Sequence, residues 1–148
     1  MRPYLRFAAM IGTSTIIMFG LMYLNTYELG DVFFSETRVY MALLMGAAMA
    51  IIMLGFMLHM HPNRRANVGI FAGSVVVFAL ALWLVRSQTT IEDVSWMKAM
   101  IPHHSIAILT SERANLSDPR VQELASQIIK SQRREIGEMK ALISDLEK

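Results

Sequence analysis

The chain has 148 residues, of which 54% are hydrophobic and 18% charged, and its formal net charge is +2. A small soluble domain has difficulty burying so large an apolar fraction, so the composition indicates a membrane protein. The basic residues form no dense patch, and we therefore expect no nucleic-acid partner. Cysteine is absent, which excludes disulfides and thiolate metal sites, whereas there are 13 methionines and four histidines.

Three apolar runs in the first 86 residues predict a membrane domain with three transmembrane helices. Each run is long enough to cross a hydrocarbon core roughly 30 Å thick. They lie at about residues 7–24, 39–58 and 68–85. No small-x-small cleavage site follows the first run before Asn25, so we expect an uncleaved helix and not a signal peptide.

The connections between the spans predict the orientation of the chain. Residues 25–38 form a polar, mostly acidic connection, whereas the tight turn at residues 59–65 ends in Arg64 and Arg65. The positive-inside rule places this turn and the N-terminus in the cytoplasm. We therefore expect a multi-pass protein of a bacterial inner membrane, embedded in the lipid bilayer, with residues 87–148 on the periplasmic side.

Two patterns within the spans have alternative interpretations. Gly69 and Gly73 form a GxxxG spacing, which either makes an oligomer interface or reflects the abundance of glycine in membrane helices. Five methionines recur every four residues in the second span: Met41, Met45, Met49, Met53 and Met57. They either pass a soft cation along the membrane or pack helices together, and packing is the favoured interpretation. His59, Met60 and His61 follow in what we expect to be an exposed turn, which is weak evidence for metal binding.

The remainder of the chain predicts a long antiparallel hairpin of two helices. Thr89 followed by Glu92 fits a capping box at the start of a helix over about residues 91–116. Asp118 fits an N-cap, and Pro119 fits the first position of a second helix that runs nearly to the end.

Helical wheels place polar groups inside the apolar faces of this hairpin. His104 shares a face of the first helix with Ile101 and Ile108, and His103 lies at its flank. Pro102 removes one backbone hydrogen bond, and a kink there would turn both imidazoles toward a common site. The predicted metal ligands are Met97, Met100, His103, His104 and Met139, with Glu135 and Gln132 as supporting groups.

The motif Met100-Ile101-Pro102-His103-His104, with the later Asp118-Pro119, Gln132-x-x-Glu135 and Met139-Lys140, resembles the domain of unknown function 305 family. The resemblance covers about residues 93–146 and implies a fold of the ferritin-like superfamily. Some extracytoplasmic members are linked to copper binding and tolerance, and the resemblance assigns His103, His104, Met100 and Met139 to the family's histidines and methionines. Thr110 stands where many members carry another methionine.

The predicted fold class is all-α: three transmembrane helices, then a hairpin that completes a ferritin-like four-helix bundle as a homodimer or higher oligomer. The predicted function is copper sequestration or handover without enzymatic activity, with Cu(I) favoured by the thioethers and Cu(II) accepted by the imidazoles. One alternative is a metal-free oligomerisation or partner-binding module. A di-iron oxidoreductase is less favoured, because the sequence has no Glu-x-x-His pair.

Overall fold

The computed structural model describes residues 2–148, and over this range the chain is all-α, as predicted. Five α-helices are joined by short connections, two of which contain a single turn of 3-10 helix. The helices are α1 (Arg2–Leu21), α2 (Glu36–Phe56), α3 (Arg64–Ser87), α4 (Asp93–Arg113) and α5 (Pro119–Leu146).

Helices α1, α2 and α3 are each long and apolar enough to cross a membrane. Their most apolar windows have mean hydropathies of 1.4, 2.2 and 2.5. At most 28% of any of these windows is buried against the rest of the chain, so leucine, isoleucine and valine side chains cover their outer surfaces. Exposed apolar surface on this scale is typical of helices that face lipid.

The described chain divides into two compact units. The span unit contains residues 2–22 and 37–90, and the hairpin unit contains residues 23–36 and 91–148. The connection between α1 and α2 therefore packs with the hairpin, where its short 3-10 helix, Leu29–Asp31, contacts α4. The sequence predicts only a polar connection for this segment and misses its structural role.

The core of the span unit lies where α1 and α2 approach closely. Phe7, Ala50 and Leu54 are buried there, with Met53 among the side chains packed around them. Gly46 permits this approach, because a Cβ atom on it would lie only 2.4 Å from the Thr15 hydroxyl oxygen. The glycines of the GxxxG spacing differ: nothing in the described chain lies within 4 Å of a Cβ placed on Gly69 or Gly73. Their face is open to a neighbouring molecule.

The methionine stripe of α2 winds around the helix. A step of four residues advances the helix by about 400°, so each methionine is displaced by roughly 40° from the one before. Met41 is consequently 43% exposed, whereas Met53 comes round to the side that carries Ala50 and Leu54.

The turn between α2 and α3 buries His61, so the prediction of an exposed turn is wrong at this residue. The His61 side chain is only 2% exposed, and its Nδ1 atom donates to the Met57 carbonyl oxygen at 2.9 Å. The Asn67 amide donates to the His61 carbonyl oxygen at 2.8 Å, and the Tyr4 hydroxyl donates to Asn67 at 2.9 Å. Side chains from α1 and α3 therefore close over the turn.

The two predicted helix caps of the hairpin have different outcomes. The Asp118 side chain accepts from the Arg120 N–H at 2.9 Å and Pro119 begins α5, which confirms that prediction. The capping box is wrong, because Glu92 itself occupies the N-cap position of α4 and makes no side-chain cap bond. Gln88 ends α3 in the left-handed region, at φ 54°, and the turn brings the Thr89 hydroxyl to within 3.2 Å of the Ser87 hydroxyl.

Candidate metal site in the helical hairpin

Cross-helix ion pairs fix how α4 and α5 lie against each other. Lys98 pairs with Glu147 near one end of the hairpin, and Glu112 pairs with Arg133 at 2.6 Å near the other. Between them, His104 Nδ1 lies 3.2 Å from a Glu135 carboxylate oxygen. His104 of α4 and Glu135 of α5 are therefore neighbours across the hairpin.

The hairpin core buries two of the five predicted ligands. Met97 is 5% exposed and Met139 is 7% exposed, and Met100 packs against the cluster they belong to. The other buried members of this cluster are Ile101, Ile108, Ile136 and Ile143. Three thioethers thus lie within one apolar environment, which confirms the face predicted for α4.

His104 and Gln132 bring unsatisfied polar atoms to the edge of this core. The ring of His104 is 15% exposed, and its distance to Glu135 suits an ion pair. However, no hydrogen bond of acceptable angle joins them, and Nδ1 is fully buried without a hydrogen-bond partner in the described chain. Gln132 Oε1 is buried in the same condition. A buried polar atom without a hydrogen-bond partner costs about 1–3 kcal/mol, so two of them along the contact between α4 and α5 need an explanation.

Burial keeps the His104 imidazole neutral. Loss of solvent lowers the pKa of His104 below its ordinary value of 6.5, and this effect outweighs the nearby Glu135 carboxylate, which raises it. The neighbouring His103 lowers the pKa of His104 further. A neutral imidazole is the form that binds metal ions, and Nδ1, which makes no hydrogen bond, is the ring nitrogen left to act as a ligand beside the Glu135 carboxylate. Glu135 is itself held by the Ser131 hydroxyl at 2.7 Å.

The two adjacent histidines do not share one face of α4. His103 is exposed, and its ring centroid lies 6.4 Å from that of His104 with the planes tilted by 53°. Helix α4 continues through the buried Pro102, so the structure does not turn both imidazoles into the core. His103 instead lies on the flank that also carries Trp96, which is 50% exposed, as the helical wheel predicts.

A strip of exposed apolar side chains runs beside the candidate site. The apolar face of α5 is wider than α4 can cover, so its Ile136 side remains buried while its other side is open. The exposed members of the strip are Val121, Leu124, Leu142 and Leu146, at 44% to 59% exposure. On the helical wheel Glu135 lies with this open strip, and Met139 lies at the boundary between it and the buried side. The candidate site therefore lies on the seam between α4 and α5, where the covered side of α5 meets its exposed strip.

The connection between α1 and α2 covers the opposite side of the hairpin. The Tyr27 N–H donates to the Ser105 hydroxyl oxygen at 2.8 Å, and Ser105 is completely buried next to His104. Asp31 is 4% exposed and pairs with Lys140 at 2.6 Å. Sequence reasoning missed these residues, although the predicted connection, residues 25–38, contains three aromatic residues, Tyr27, Phe33 and Phe34, which were a signal that it packs against something.

Tyr27 also joins an electrostatic cluster at the far end of this side. A hydrogen bond from Tyr27 is the main cause that lowers the pKa of Glu112, and Arg133 adds to it. The same contact with Glu112 raises the pKa of Tyr27. The Arg133 guanidinium carbon lies 5.6 Å from the centre of the Tyr27 ring. These contacts fix the connection on the hairpin and take no part in the candidate metal site.

Nitrogen and oxygen ligands alone do not form a metal site in this structure. Within residues 2–148 no three His, Asp or Glu side chains are grouped so that they could hold one ion. The other candidate ligands near His104 are thioether sulfurs, which are soft ligands.

Comparison with known proteins finds a family match over the C-terminal part of the chain, which contains α4 and α5. The family model described as "Domain of unknown function (DUF305)" matches residues 84–148. Over nearly its whole length the chain is similar to "Uncharacterized protein L153" of Acanthamoeba polyphaga mimivirus, with 32% identity over 144 residues and 93% of each chain covered. No solved structure matches the chain. The predicted resemblance is confirmed, and the chain belongs to the DUF305 family.

Proposed function

We propose that the protein is a membrane-anchored copper-binding protein whose site lies on the seam between α4 and α5. The observation that carries this proposal is the buried, unpartnered Nδ1 of His104 beside Glu135, at the edge of a core that contains Met97, Met100 and Met139. An ordinary structural histidine in such a position would satisfy its buried nitrogen with a hydrogen bond.

The ligand set favours Cu(I). Thioethers are soft and uncharged, so they bind Cu(I) without releasing protons, and neutral imidazole complements them. Met100 lies one helical turn before His104 and Met139 lies one turn after Glu135, and these two are the proposed sulfur ligands, whereas Met97 lies about two helical turns from His104 along α4. Gln132 and Glu135 would hold the imidazole and exclude water, and His103 would bind only from the exposed flank.

The open apolar strip supports assembly into a larger bundle. Two helices cannot enclose a seam on both sides, and ferritin-like bundles use four. A second hairpin packed on Leu124 and Leu142 would bury the strip and close the seam over the site. We propose a homodimer or higher oligomer in which copper binding and assembly support each other, with Gly69 and Gly73 as a further contact between span units.

The proposed location follows from the charge distribution of the connections. The positive-inside rule supports an N-terminus in the cytoplasm and a hairpin outside it, in a bacterial inner membrane. Copper would then be held outside the cytoplasm, where a cysteine-free site avoids disulfide formation. The role that fits is sequestration or handover.

A competition titration of the full-length protein in detergent tests this function. Cu(I) is added under anaerobic conditions against a chromophoric chelator, and His104→Phe is compared with the native chain. We expect His104→Phe to lose one tightly bound copper per chain. A double variant, Met100→Leu with Met139→Leu, should weaken the same site, whereas Met18→Leu with Met22→Leu in the first apolar run serves as the control. Equal binding by all four proteins would contradict the proposal.

A metal-free role as an assembly module is the second candidate, and the exposed strip of α5 is the observation that favours it. In that role His104 and Glu135 would meet polar groups of the partner hairpin. Native mass spectrometry distinguishes the two, because this module would assemble equally well with copper and with a copper chelator.

A further inference from the structure

The buried histidine in the turn between α2 and α3 lies outside the hairpin site and has no role in it. His61 is 2% exposed, and its Nε2 atom is fully buried without a hydrogen-bond partner in the described part of the chain. Its neighbour His59 is exposed in the same turn. A buried imidazole nitrogen without a hydrogen bond is uncommon, because a nitrogen that loses its water partners on burial normally gains a partner in the protein.

The state of the His61 ring follows from its other nitrogen. Nδ1 faces the Met57 carbonyl oxygen at 2.9 Å, and since a carbonyl can only accept, Nδ1 carries the proton. In the neutral ring Nε2 then has a free lone pair. Metal-bound histidines commonly have this arrangement, in which a carbonyl holds one ring nitrogen and orients the other toward the metal.

Aromatic side chains of α1 enclose the ring. The centre of the His61 ring lies 4.8 Å from that of Tyr4 and 5.6 Å from that of Phe7, both edge-to-face. Tyr4 is anchored in turn, because its hydroxyl bonds to the Asn67 side chain and to the Asn63 backbone. Tyr4 and Phe7 therefore form an aromatic cup against the buried His61 ring.

The surroundings decide which class of ligand fits. Arg64 and Arg65 follow the turn at the start of α3, and residues 57–65 contain no carboxylate. Within residues 2–148 no three His, Asp or Glu side chains are grouped so that they could hold a metal ion. Hard divalent ions are therefore disfavoured. Two methionines lie near this cluster: Met53 packs against Phe7, Ala50 and Leu54, and the Met57 carbonyl oxygen accepts from His61 Nδ1.

We propose that His61 Nε2, with the thioether of Met53 or Met57, binds a soft monovalent cation of the Cu(I) class in the cup formed by Tyr4 and Phe7. Soft d¹⁰ cations accept few ligands, and aromatic faces stabilise a desolvated cation. This site is the end of the methionine stripe of α2, on the side of the membrane predicted to be cytoplasmic. It is independent of the hairpin site.

The test is an anaerobic Cu(I) titration of the full-length protein in detergent, in competition with a chromophoric chelator. His61→Phe keeps an aromatic ring but removes Nε2, and His59→Phe makes the same change at the exposed neighbour. We expect His61→Phe to lose one tight copper per chain and His59→Phe to lose none. If His61→Phe retains the native number and affinity of coppers, the inference is wrong.

The titrations can contradict the turn site and the hairpin site independently of each other. His104→Phe should abolish only the hairpin copper, so a single remaining copper that His61→Phe also removes would support this inference whatever the fate of the hairpin site. A native chain whose only tight copper is lost in His104→Phe would support the proposed function and overturn this inference.

A second measurement covers the case in which His61→Phe does not fold. Leucine conserves the volume of methionine, so Met53→Leu with Met57→Leu should leave the span unit intact. In the His104→Phe background we expect this pair to weaken the remaining copper by about tenfold or more. X-ray absorption of the His104→Phe protein should show both nitrogen and sulfur around copper, and a sulfur-free spectrum would contradict the assignment.

Discussion

His104 stands out among the single residues because its burial and its chemistry conflict. A ring that is mostly buried, kept neutral, and close to a carboxylate without a satisfactory hydrogen bond is not arranged for stability. Such arrangements are typical of sites that bind something. The sequence identified this residue, since a histidine on an apolar helix face is visible from spacing alone.

The lowered pKa of His104 predicts that the metal-free protein loses stability in acid. The unfolded chain binds the proton more readily than the folded chain, so stability is complete above 6.5, the ordinary value, and falls as the pH decreases toward the folded-state pKa. Thermal unfolding of the full-length protein in detergent at about pH 7.5 and 5.5 measures the loss. His104→Gln should reduce this difference. An identical pH dependence in the variant would show that other groups cause it.

At the scale of elements, the connection between α1 and α2 is part of the hairpin. Tyr27 and Asp31 attach it to α4 and α5 through a buried hydroxyl and a buried ion pair. Polar residues between two spans predict a solvated connection. The partner of Asp31 is Lys140, which lies 109 positions away along the chain, and local sequence carries no information about such a distant contact.

Lys140→Met tests this attachment by leaving the Asp31 carboxylate buried and without its partner. We expect the local opening free energy of the connection to fall by about 1–3 kcal/mol. Hydrogen exchange of peptides covering residues 23–36 measures it in the full-length protein. Asp31→Asn combined with Lys140→Met should recover part of the loss, because the uncompensated charge is gone. Unchanged exchange in Lys140→Met would mean that the ion pair does not hold the connection.

The helices themselves were predictable to different degrees. The apolar runs predict the presence of α1, α2 and α3, and the Asp118-Pro119 pair predicts the start of α5, because length and capping chemistry are local. The bounds are less accurate, since α1 begins at Arg2 and ends at Leu21 whereas the predicted span covers residues 7–24. The capping box at Thr89 fails, since the left-handed Gln88 redirects the chain. The prediction that His61 is exposed fails for another reason, because the side chains that cover it come from α1 and α3.

The open strip of α5 bears on the whole molecule, because it leaves the candidate site on a surface. The sequence predicts one broad apolar face, and the structure divides it into a side covered by α4 and a side that stays exposed. A single chain has no further helix in the hairpin unit to cover it. The sequence cannot indicate this division, since both sides have the same composition.

Leu142→Glu tests whether a second chain covers the strip. Leu142 is 52% exposed, so the single chain tolerates the change, whereas a packed interface would bury an unpaired charge. We expect native mass spectrometry to show an oligomer for the native chain and a monomer for Leu142→Glu, with weaker copper binding. Gln127→Glu adds the same charge at an exposed site of α5 and should change neither. An oligomer that survives Leu142→Glu would exclude this strip as the interface.

The central claim is that the hairpin binds copper through thioether sulfur and the His104 imidazole. X-ray absorption of Cu(I) bound to the full-length His61→Phe protein tests it most directly, because that variant leaves the hairpin as the tight site. We predict a spectrum with nitrogen and sulfur ligands, in which the sulfur contribution disappears in Met100→Leu with Met139→Leu. Copper surrounded only by nitrogen and oxygen, or an unchanged sulfur signal in that double variant, would contradict the account.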